Sequence, residues 1–590
     1  MPPPEALPIS PEFSSVDEYV DSLLHFATAS TIFQTLCGGV HILDFFTQEP
    51  SLYHKVIPEE WRVWLLRQDS MELLNFFMRD NLDTAREDAP PESLLRYVRE
   101  IRKHSLQRQS TREPAEKKTK LPRHIAVGMV PKKIHEVSNF ADYVVDVADS
   151  TGTGITHFVD FGSGQNYLGR TLASPPYNKH IVAVESKEGN IKGAKGMDVQ
   201  AGIAEREKVM RNKKLFRQQQ DNVKPEAEWS EKDFRRRAKK QEIVEDNGAD
   251  LRPIKELDTI YTSAEGKGYM QYVEHIVKDG DLSNVVAQIQ TMDTALPVGN
   301  TEDPSGRPIA LEVTPPKDVR LMAISIHSCG NLSHHGIRSL VLNPSVHAVA
   351  IVGCCYNLLT ERLGPPSYKL PLMRPNLRPI NAPPTAYIEE HDPHGFPMSE
   401  RVGTCDRGDG IGLNITARMM AVQAPWNWTP KDSDSFFTRH YWRALLQKMF
   451  LDYGVVGIAK SAEFPDSTEP VIIGSLRRSC YASFTTYVRG ALAKLAADPE
   501  RNMNALIDAK MGAMTDEDIE RYAAEYDVKK KELSVTWSLM AFSAGAVESL
   551  IVVDRWLWLK EQPEVKDAWV EAVWDYGLSP RNLVVVGIKK

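Results

Sequence analysis

The chain has 590 residues, 42% hydrophobic and 25% charged, the balance of a globular protein with room for two to four domain-sized units. A net charge of −8 argues against a general nucleic-acid binder, and six cysteines in so long a chain argue against a disulfide framework. The N-terminus, Met1-Pro-Pro-Pro-Glu-Ala6, has neither the basic nor the apolar region of a secretory signal, so a reducing cytoplasmic or nuclear setting is expected.

Residues 1–122 read as a helical region followed by a basic linker. Tyr19, Leu23, Leu24 and Phe26 recur at helical spacing, Trp61 to Phe77 repeats the pattern, and Arg102 to Arg123 is polar and basic. A Rossmann-like core is expected over 123–420. It opens with an amphipathic helix carrying Val137, Phe140, Val144 and Ala148 on one face. Next comes His157-Phe-Val-Asp-Phe-Gly-Ser-Gly-Gln-Asn-Tyr-Leu-Gly-Arg170, the most informative stretch of the chain. An apolar strand ends in an acid at Asp160, turns through Gly162, Ser163 and Gly164, and passes into a helix at Tyr167, the geometry that presents backbone N–H groups to a ligand. A pyrophosphate-binding turn needs a third glycine where Tyr167 stands. A second apolar run, Ile181-Val-Ala-Val184, ends in Glu185, placed to bond ribose hydroxyls. Ribose without pyrophosphate points to S-adenosyl-L-methionine, with Asp160 serving its amino-acid end and Glu185 its ribose.

After Glu185 the regular alternation of strands and helices is expected to stop. Residues from about 190 to 318 read as an insertion: a charged helical part, a polar helix near Tyr269 to Ile276, and a Pro/Gly-rich loop from Pro297 to Pro316. Within it, Arg206 to Lys240 holds 13 Lys/Arg against 6 Asp/Glu, either a solvated helix or a guide for RNA or an acidic protein partner. The sheet resumes with Val319 to Ile326, ending in His327-Ser-Cys-Gly-Asn-Leu-Ser333, and with His347 to Val352, ending in Gly353-Cys-Cys-Tyr-Asn357. A Pro-rich loop from Pro365 to Pro384 and the segment Phe396-Pro-Met-Ser399 follow.

Residues 421–590 read as a mostly helical, Trp-rich region, with helix prevailing from about 411 to 575. Its most apolar stretch, Trp537 to Leu559, carries Glu548, Asp554 and Arg555, which favours a buried helix over a membrane span. A last strand, about 582–588, is expected to rejoin the sheet. The whole is an α/β fold with a Rossmann-like, doubly wound, mostly parallel sheet, whose ligands bind beyond the carboxyl ends of the strands. Asp160 to Gly164, Glu185, His327 to Ser333 and Cys354 to Tyr356 should therefore converge on one crevice.

Six short motifs in order carry a resemblance: Met129-Val-Pro-Lys-Lys-Ile-His-Glu-Val137, Val159-Asp-Phe-Gly-Ser-Gly164, His327 to Ser333, Gly353 to Tyr356, Phe396 to Ser399, and Ser579-Pro-Arg-Asn582. With these the chain resembles the methyltransferase-like protein 25 family, whose sibling is named ribosomal RNA adenine dimethylase domain-containing protein. The resemblance implies a class I methyltransferase dependent on S-adenosyl-L-methionine and acting on RNA or protein. The His-x-Cys-Gly and Cys-Cys elements are also similar to tRNA ribose methyltransferases, which favours RNA. Two departures stand out: Gln165-Asn166 where the family usually has Lys-Gly, and Asn331 where it usually has Asp. These leave open an alternative, a weak or inactive methyltransferase fold that serves as a binding or scaffold module.

Methyl transfer from a sulfonium mainly requires aligning the nucleophile and removing its proton. The candidate catalytic residues are His327, Cys355, Tyr356 and Lys133. A histidine titrates nearest neutrality and suits a base, although His327 is as readily read as a structural hydrogen-bonding residue. Tyr356 would stack on a planar substrate or pack in the core. Lys133, with Lys132, His135 and Glu136, would form a flap over the cofactor or a solvated helix start. Adjacent on a strand, Cys354 and Cys355 would point to opposite faces, either as a purely structural pair or with one in the core and one in the crevice. The candidate cofactor-binding residues are Asp160, Gly162, Ser163, Gly164, Gln165, Glu185, His327, Cys329, Gly330 and Asn331. No metal is expected. A zinc site of His327, Cys329, Cys354 and Cys355 lacks a C-x-x-C pair, and adjacent cysteines make poor co-ligands.

Overall fold

The computed structural model describes residues 2–84, 87–110, 121–208, 257–262, 264, 266–289, 319–363, 379–381, 392–458, 467–498 and 503–590. Among the described residues nine strands run in chain order: β1 His157–Phe161, β2 His180–Glu185, β3 Glu205–Arg206, β4 Thr259–Ile260, β5 Tyr269–Glu274, β6 Leu321–Ser328, β7 Val346–Gly353, β8 Val565–Ala572 and β9 Leu583–Lys589. Seven of them form one sheet in the order β5-β2-β1-β6-β7-β9-β8; β3 and β4 make a separate antiparallel ribbon. The five strands from β5 to β7 are parallel, and β9 runs antiparallel to both its neighbours, β7 and β8. The doubly wound, mostly parallel α/β sheet expected from the sequence is therefore present.

Both faces of the sheet are covered, as its near-continuous apolar strands require. Along β1, Phe158 faces one core while Val159 and Phe161 face the other. The helices Pro131–Ser150 and Tyr167–Ala173 cover the first face. On the second lie the helix Leu332–Leu342, the long helix Lys530–Glu561, and N-terminal helices including Val16–Ala29, Ser70–Met78 and Glu92–His104. The N-terminal and C-terminal helices thus share one core.

The long helix is apolar nearly all round and buried nearly all round. The three charged residues of its buried central stretch, Glu548, Asp554 and Arg555, each find polar partners. Glu548 accepts from Arg581 at 2.6 Å and from the Tyr356 hydroxyl at 2.9 Å, with Arg108 on its other oxygen. Asp554 accepts from the backbone N–H groups of Met398 and Ser399 at 2.7 and 2.9 Å, and from the Ser399 hydroxyl at 2.7 Å. Arg555 donates to Ser333 Oγ at 2.6 Å and fills the space beside Gly353, where a Cβ would lie 2.1 Å from its guanidinium. The motifs Phe396 to Ser399 and Ser579 to Asn582 are explained by this pairing, which keeps charges inside the fold.

Three expectations need correction. The segment Tyr269 to Ile276 is not a helix: Tyr269–Glu274 forms β5, the sheet edge beside β2. Alternation with the helical register does not stop at Glu185 either, because the helix Glu188–Gln200 links β2 toward β5. And the C-terminal region contains a second strand, β8, between the long helix and β9. In both strands polar residues at exposed positions masked the two-residue period, and pairing with a neighbour supplied what local pattern lacked. Of the basic segment Arg206 to Lys240, residues 209–240 lie outside the described residues; so do the loop Pro297 to Pro316 and all of Pro365 to Pro384 but 379–381.

Candidate functional site

Strand order reverses between β1 and β6, the switch point at which doubly wound sheets take a ligand in the crevice beyond the carboxyl ends of the strands. On the β1 side, Gly162 and Gly164 adopt φ of +61° and +56°. Gly162 also sits so close to the Leu332 side chain that a Cβ would lie 2.8 Å from it, so the turn needs glycine there for conformation and for space. The Ser163 N–H donates to Val184 O at 3.1 Å, which ties the turn to β2. Glu185 is bound into the same turn. Its carboxylate accepts the Gly164 N–H on one oxygen at 2.9 Å and the Ser186 and Lys187 N–H groups on the other, each at 2.9 Å. The Ser186 hydroxyl also reaches that second oxygen, at 3.5 Å, so the position left for a ligand hydroxyl is on the oxygen that accepts only from Gly164.

Asp160 is 3% exposed, and its side chain makes no hydrogen bond among the described residues. Burial first, and the charge of Glu185 second, push its carboxyl up to about 8, with Lys133 opposing. Gln165 turns aside: its amide reaches Asn190 at 3.4 Å, and its carbonyl accepts from Arg170. Beneath the turn lies a polar cluster that the sequence did not reveal. The buried pair Arg170–Asp198, at 2.9 Å, is joined by the hydroxyls of Tyr261 and Tyr272, and Tyr272 also bonds Asn166. Its members lie far apart in sequence, so no local spacing marks them.

On the β6 side, His327 Nε2 lies 3.0 Å from Glu136 Oε2 and against Lys133 Nζ, which is itself 2.8 Å from Glu136. The other Glu136 oxygen accepts from the Ser579 hydroxyl at 2.6 Å. Burial would raise the Glu136 carboxyl, but the hydrogen bonds from His327, Lys133 and Ser579 outweigh it and hold it at about 2. Among the described residues His327 Nδ1 has no hydrogen-bond partner, and the ring is 34% exposed. The residues Lys132 to Glu136 are therefore no flap. They form the first turns of the helix Pro131–Ser150, fixed from inside by Glu136 and, through His135, to the Asp575 N–H at 3.2 Å. Glu136 and Ser579 complete this group; the signal available for them was the Lys133–Glu136 spacing at a helix start and the Ser579 motif.

Beyond β7 the adjacent cysteines do not splay apart. The strand ends at Gly353, and Cys355 leaves the extended conformation (φ −100°, ψ 74°) into a short turn at Tyr356–Leu358. Both thiols consequently meet Cys329, at 3.4 Å from Cys354 and 3.2 Å from Cys355. The hydrogen bond from Cys354 outweighs burial and, with help from Cys355 and His327, brings the Cys329 thiol down to about 6. Gly330 keeps this corner closed through its N–H to Cys355 O, at 3.2 Å.

Besides Gln165, two further candidate residues do not reach the crevice. Tyr356 is 2% exposed; its ring lies between Arg555 and Arg581 and its hydroxyl on Glu548, so it packs in the core and does not stack on a substrate. Asn331 points to the loop after β7, where it bonds Asp392 at 2.8 Å and Thr360 at 3.0 Å. Asp160, Gly162, Ser163, Gly164, Glu185, His327, Cys329, Gly330, Cys355 and Lys133 all stand around the switch point on the ends of adjacent strands or the helix packed beside them.

Residues 132–362 match the family model of a methyltransferase domain. The chain is similar to a mouse protein named probable methyltransferase-like protein 25, at 27% identity over 273 residues, or 46% of this chain and 37% of that protein. It is 22% identical over 517 residues to the human protein of the same name, covering 78% of this chain and 74% of the relative. The chain therefore spans little more than a third of the mouse relative and about three quarters of the human one. No solved structure matches it. The sheet order and the glycine turn at its switch point agree with these matches: residues 132–362 match a methyltransferase domain, and the chain is similar to proteins named probable methyltransferase-like protein 25.

Proposed function

We propose that the crevice binds S-adenosyl-L-methionine and transfers its methyl group to a macromolecule, with RNA favoured over protein. The observation that carries this reading is Asp160, a buried carboxylate left without a hydrogen-bond partner among the described residues, at the end of β1 beside the Gly162–Gly164 turn. A site of this kind fits a ligand that brings a cation to Asp160 and a ribose hydroxyl to Glu185, and the positive φ of both glycines lets its backbone be approached closely. Asp160, Gly162, Ser163, Gly164 and Glu185 would hold the cofactor, which supplies a methyl group already activated on a sulfonium.

The chain's own residues then need only align an acceptor and take its proton. His327 is held by Glu136 at Nε2, which leaves Nδ1 as the ring atom available to accept a proton. Lys133 shares the same carboxylate and fixes the ring further. RNA is favoured because the His327-to-Asn331 and Cys354-Cys355 elements resemble those of tRNA ribose methyltransferases. A second reading, a scaffold that retains the fold, is favoured by one observation: Asn331 is committed to Asp392 and Thr360 and offers nothing to a ligand.

Calorimetry should show binding of S-adenosyl-L-methionine and S-adenosyl-L-homocysteine but not NAD. Radiolabelled methyl transfer into extract from cells lacking the protein, split into RNA and protein fractions, should label RNA. Absence of cofactor binding by well-folded protein would remove the methyltransferase reading, while binding without labelling of either fraction would favour the scaffold.

A further inference from the structure

We propose that Cys329, Cys354 and Cys355 form a zinc(II) site with three thiolate ligands and an open fourth position at the switch-point crevice. The three sulfurs make a nearly equilateral triangle, with sides of 3.2, 3.4 and 3.6 Å. Three thiolates on tetrahedral zinc, each about 2.3 Å from the metal, stand roughly 3.8 Å apart. Opening this triangle by a few tenths of an ångström would seat the ion. A disulfide demands a larger change, closure to about 2.05 Å, and would use only two of the three sulfurs.

The objection from sequence, that adjacent cysteines cannot share a metal, holds on a strand, where neighbouring side chains alternate. It fails here because the pair lies just past the end of β7. The backbone around the triangle is fixed: the Cys354 N–H donates to Ser328 O at 3.2 Å, and Cys355 O accepts from Gly330 and Leu358 at 3.2 and 3.0 Å. Thiol placement is therefore set by two adjacent strand ends rather than by mobile side chains. Half of the chain's six cysteines meet at this point; Cys37, Cys405 and Cys480 lie elsewhere.

Burial is graded across the triangle, from Cys354 (buried) through Cys355 (half-buried) to Cys329 (exposed). A packed cluster of structural thiols would not leave one of its members in solvent. Among the described residues no fourth His, Cys, Asp or Glu atom joins the three. A site with three protein ligands and a free position is the kind that engages a water or a substrate atom, whereas a structural zinc site is closed by four. Three soft donors select zinc over magnesium or calcium. The free position would take water or a heteroatom of the acceptor, and zinc would there act as a Lewis acid. This assignment stands on the thiol geometry and does not require the crevice to transfer methyl groups.

The test uses the full chain, reduced and stripped of metal with a chelator, then titrated with cobalt(II). One equivalent should bind with the sulfur-to-cobalt charge-transfer absorption and intense visible bands of a tetrahedral thiolate site, and zinc(II) should displace it. Cys329→Ser and Cys355→Ser should each weaken zinc binding by more than the roughly 10- to 100-fold cost of removing a hydrogen-bond partner of a ligand. Cys480→Ser, away from the triangle, should leave binding unchanged. Circular dichroism and thermal melting check that the variants fold; Cys329 is exposed, so its substitution is the safest of the three. The proposal is overturned if no cobalt–thiolate absorption develops, or if folded Cys329→Ser binds zinc as the wild type does. It is equally overturned if the reduced protein takes up no metal while peroxide links Cys329 to Cys355, since the cluster would then be a redox pair.

Discussion

The crevice holds two buried carboxylates that the fold treats in opposite ways. Glu136, fully buried on the β6 side, is surrounded by His327, Lys133 and Ser579 and held at about 2. Asp160, 3% exposed at the end of β1, has Glu185 for its nearest electrostatic opponent and is raised to about 8. Burial penalises both; only the partners differ. The contrast separates a carboxylate already paired within the structure from one without a hydrogen-bond partner among the described residues. Glu136 positions a histidine, and on the proposed function Asp160 would receive the positive charge of the cofactor.

The largest test of this contrast is to delete each acid. Glu136→Ala leaves Lys133, His327 and the buried Ser579 hydroxyl without their common partner and should cost about 1–3 kcal/mol in denaturant unfolding. Asp160→Asn should cost nothing at neutral pH or stabilise the cofactor-free protein. Equal losses for the two variants would dissolve the distinction. On the catalytic side, His327→Ala should lower turnover by roughly 10²–10⁴ with little change in cofactor affinity. A matching loss in both would make His327 structural.

Cofactor binding sharpens the comparison at the next level of effect. Glu185→Ala should weaken binding by about 10- to 150-fold, the worth of charge-assisted bonds of roughly 1.5–3 kcal/mol. Because Asp160 lies near 8, it is mostly protonated at pH 7, and a cation placed beside it should expel the proton. Calorimetry in buffers of different ionisation enthalpy should therefore show proton release on binding, absent in Asp160→Asn.

The two acids should also have opposite signatures in stability against pH. Asp160 is raised in the folded state, from 3.8 to about 8, so its contribution falls as pH rises through that window. Glu136 is lowered from 4.5 to about 2, so its contribution is present above pH 4.5 and is lost as pH falls through about 2. Melting curves of the two variants against wild type should diverge at opposite ends of the pH range. The smallest effect belongs to Asn331. Asn331→Ala should cost about 0.5–1.5 kcal/mol and leave cofactor affinity unchanged, because its bonds go to Thr360 and Asp392.

Much of this architecture was legible in the chain. The run from His157 to Arg170 announced its strand, turn and helix because glycine conformation and apolar periodicity are local properties. The apolar cores of β2, β6 and β7 and the buried long helix were readable for the same reason. Edge strand β5 and strand β8 were not, since their stability comes from pairing with β2 and β9.

What only the tertiary structure decided was where side chains of readable type end up. Tyr356 and Asn331 sit in motifs that point to a ligand, yet Glu548 draws one into the core and Asp392 draws the other to a loop. Cys354 and Cys355 gain a common direction because the strand ends one residue before them. Sequence fixes chemistry and local conformation through forces acting over a few residues. The direction of a side chain and the charge state of an acid depend on groups that packing brings together: Glu185 and Lys133, on other elements, for Asp160, and His327 and Ser579, more than a hundred residues away, for Glu136.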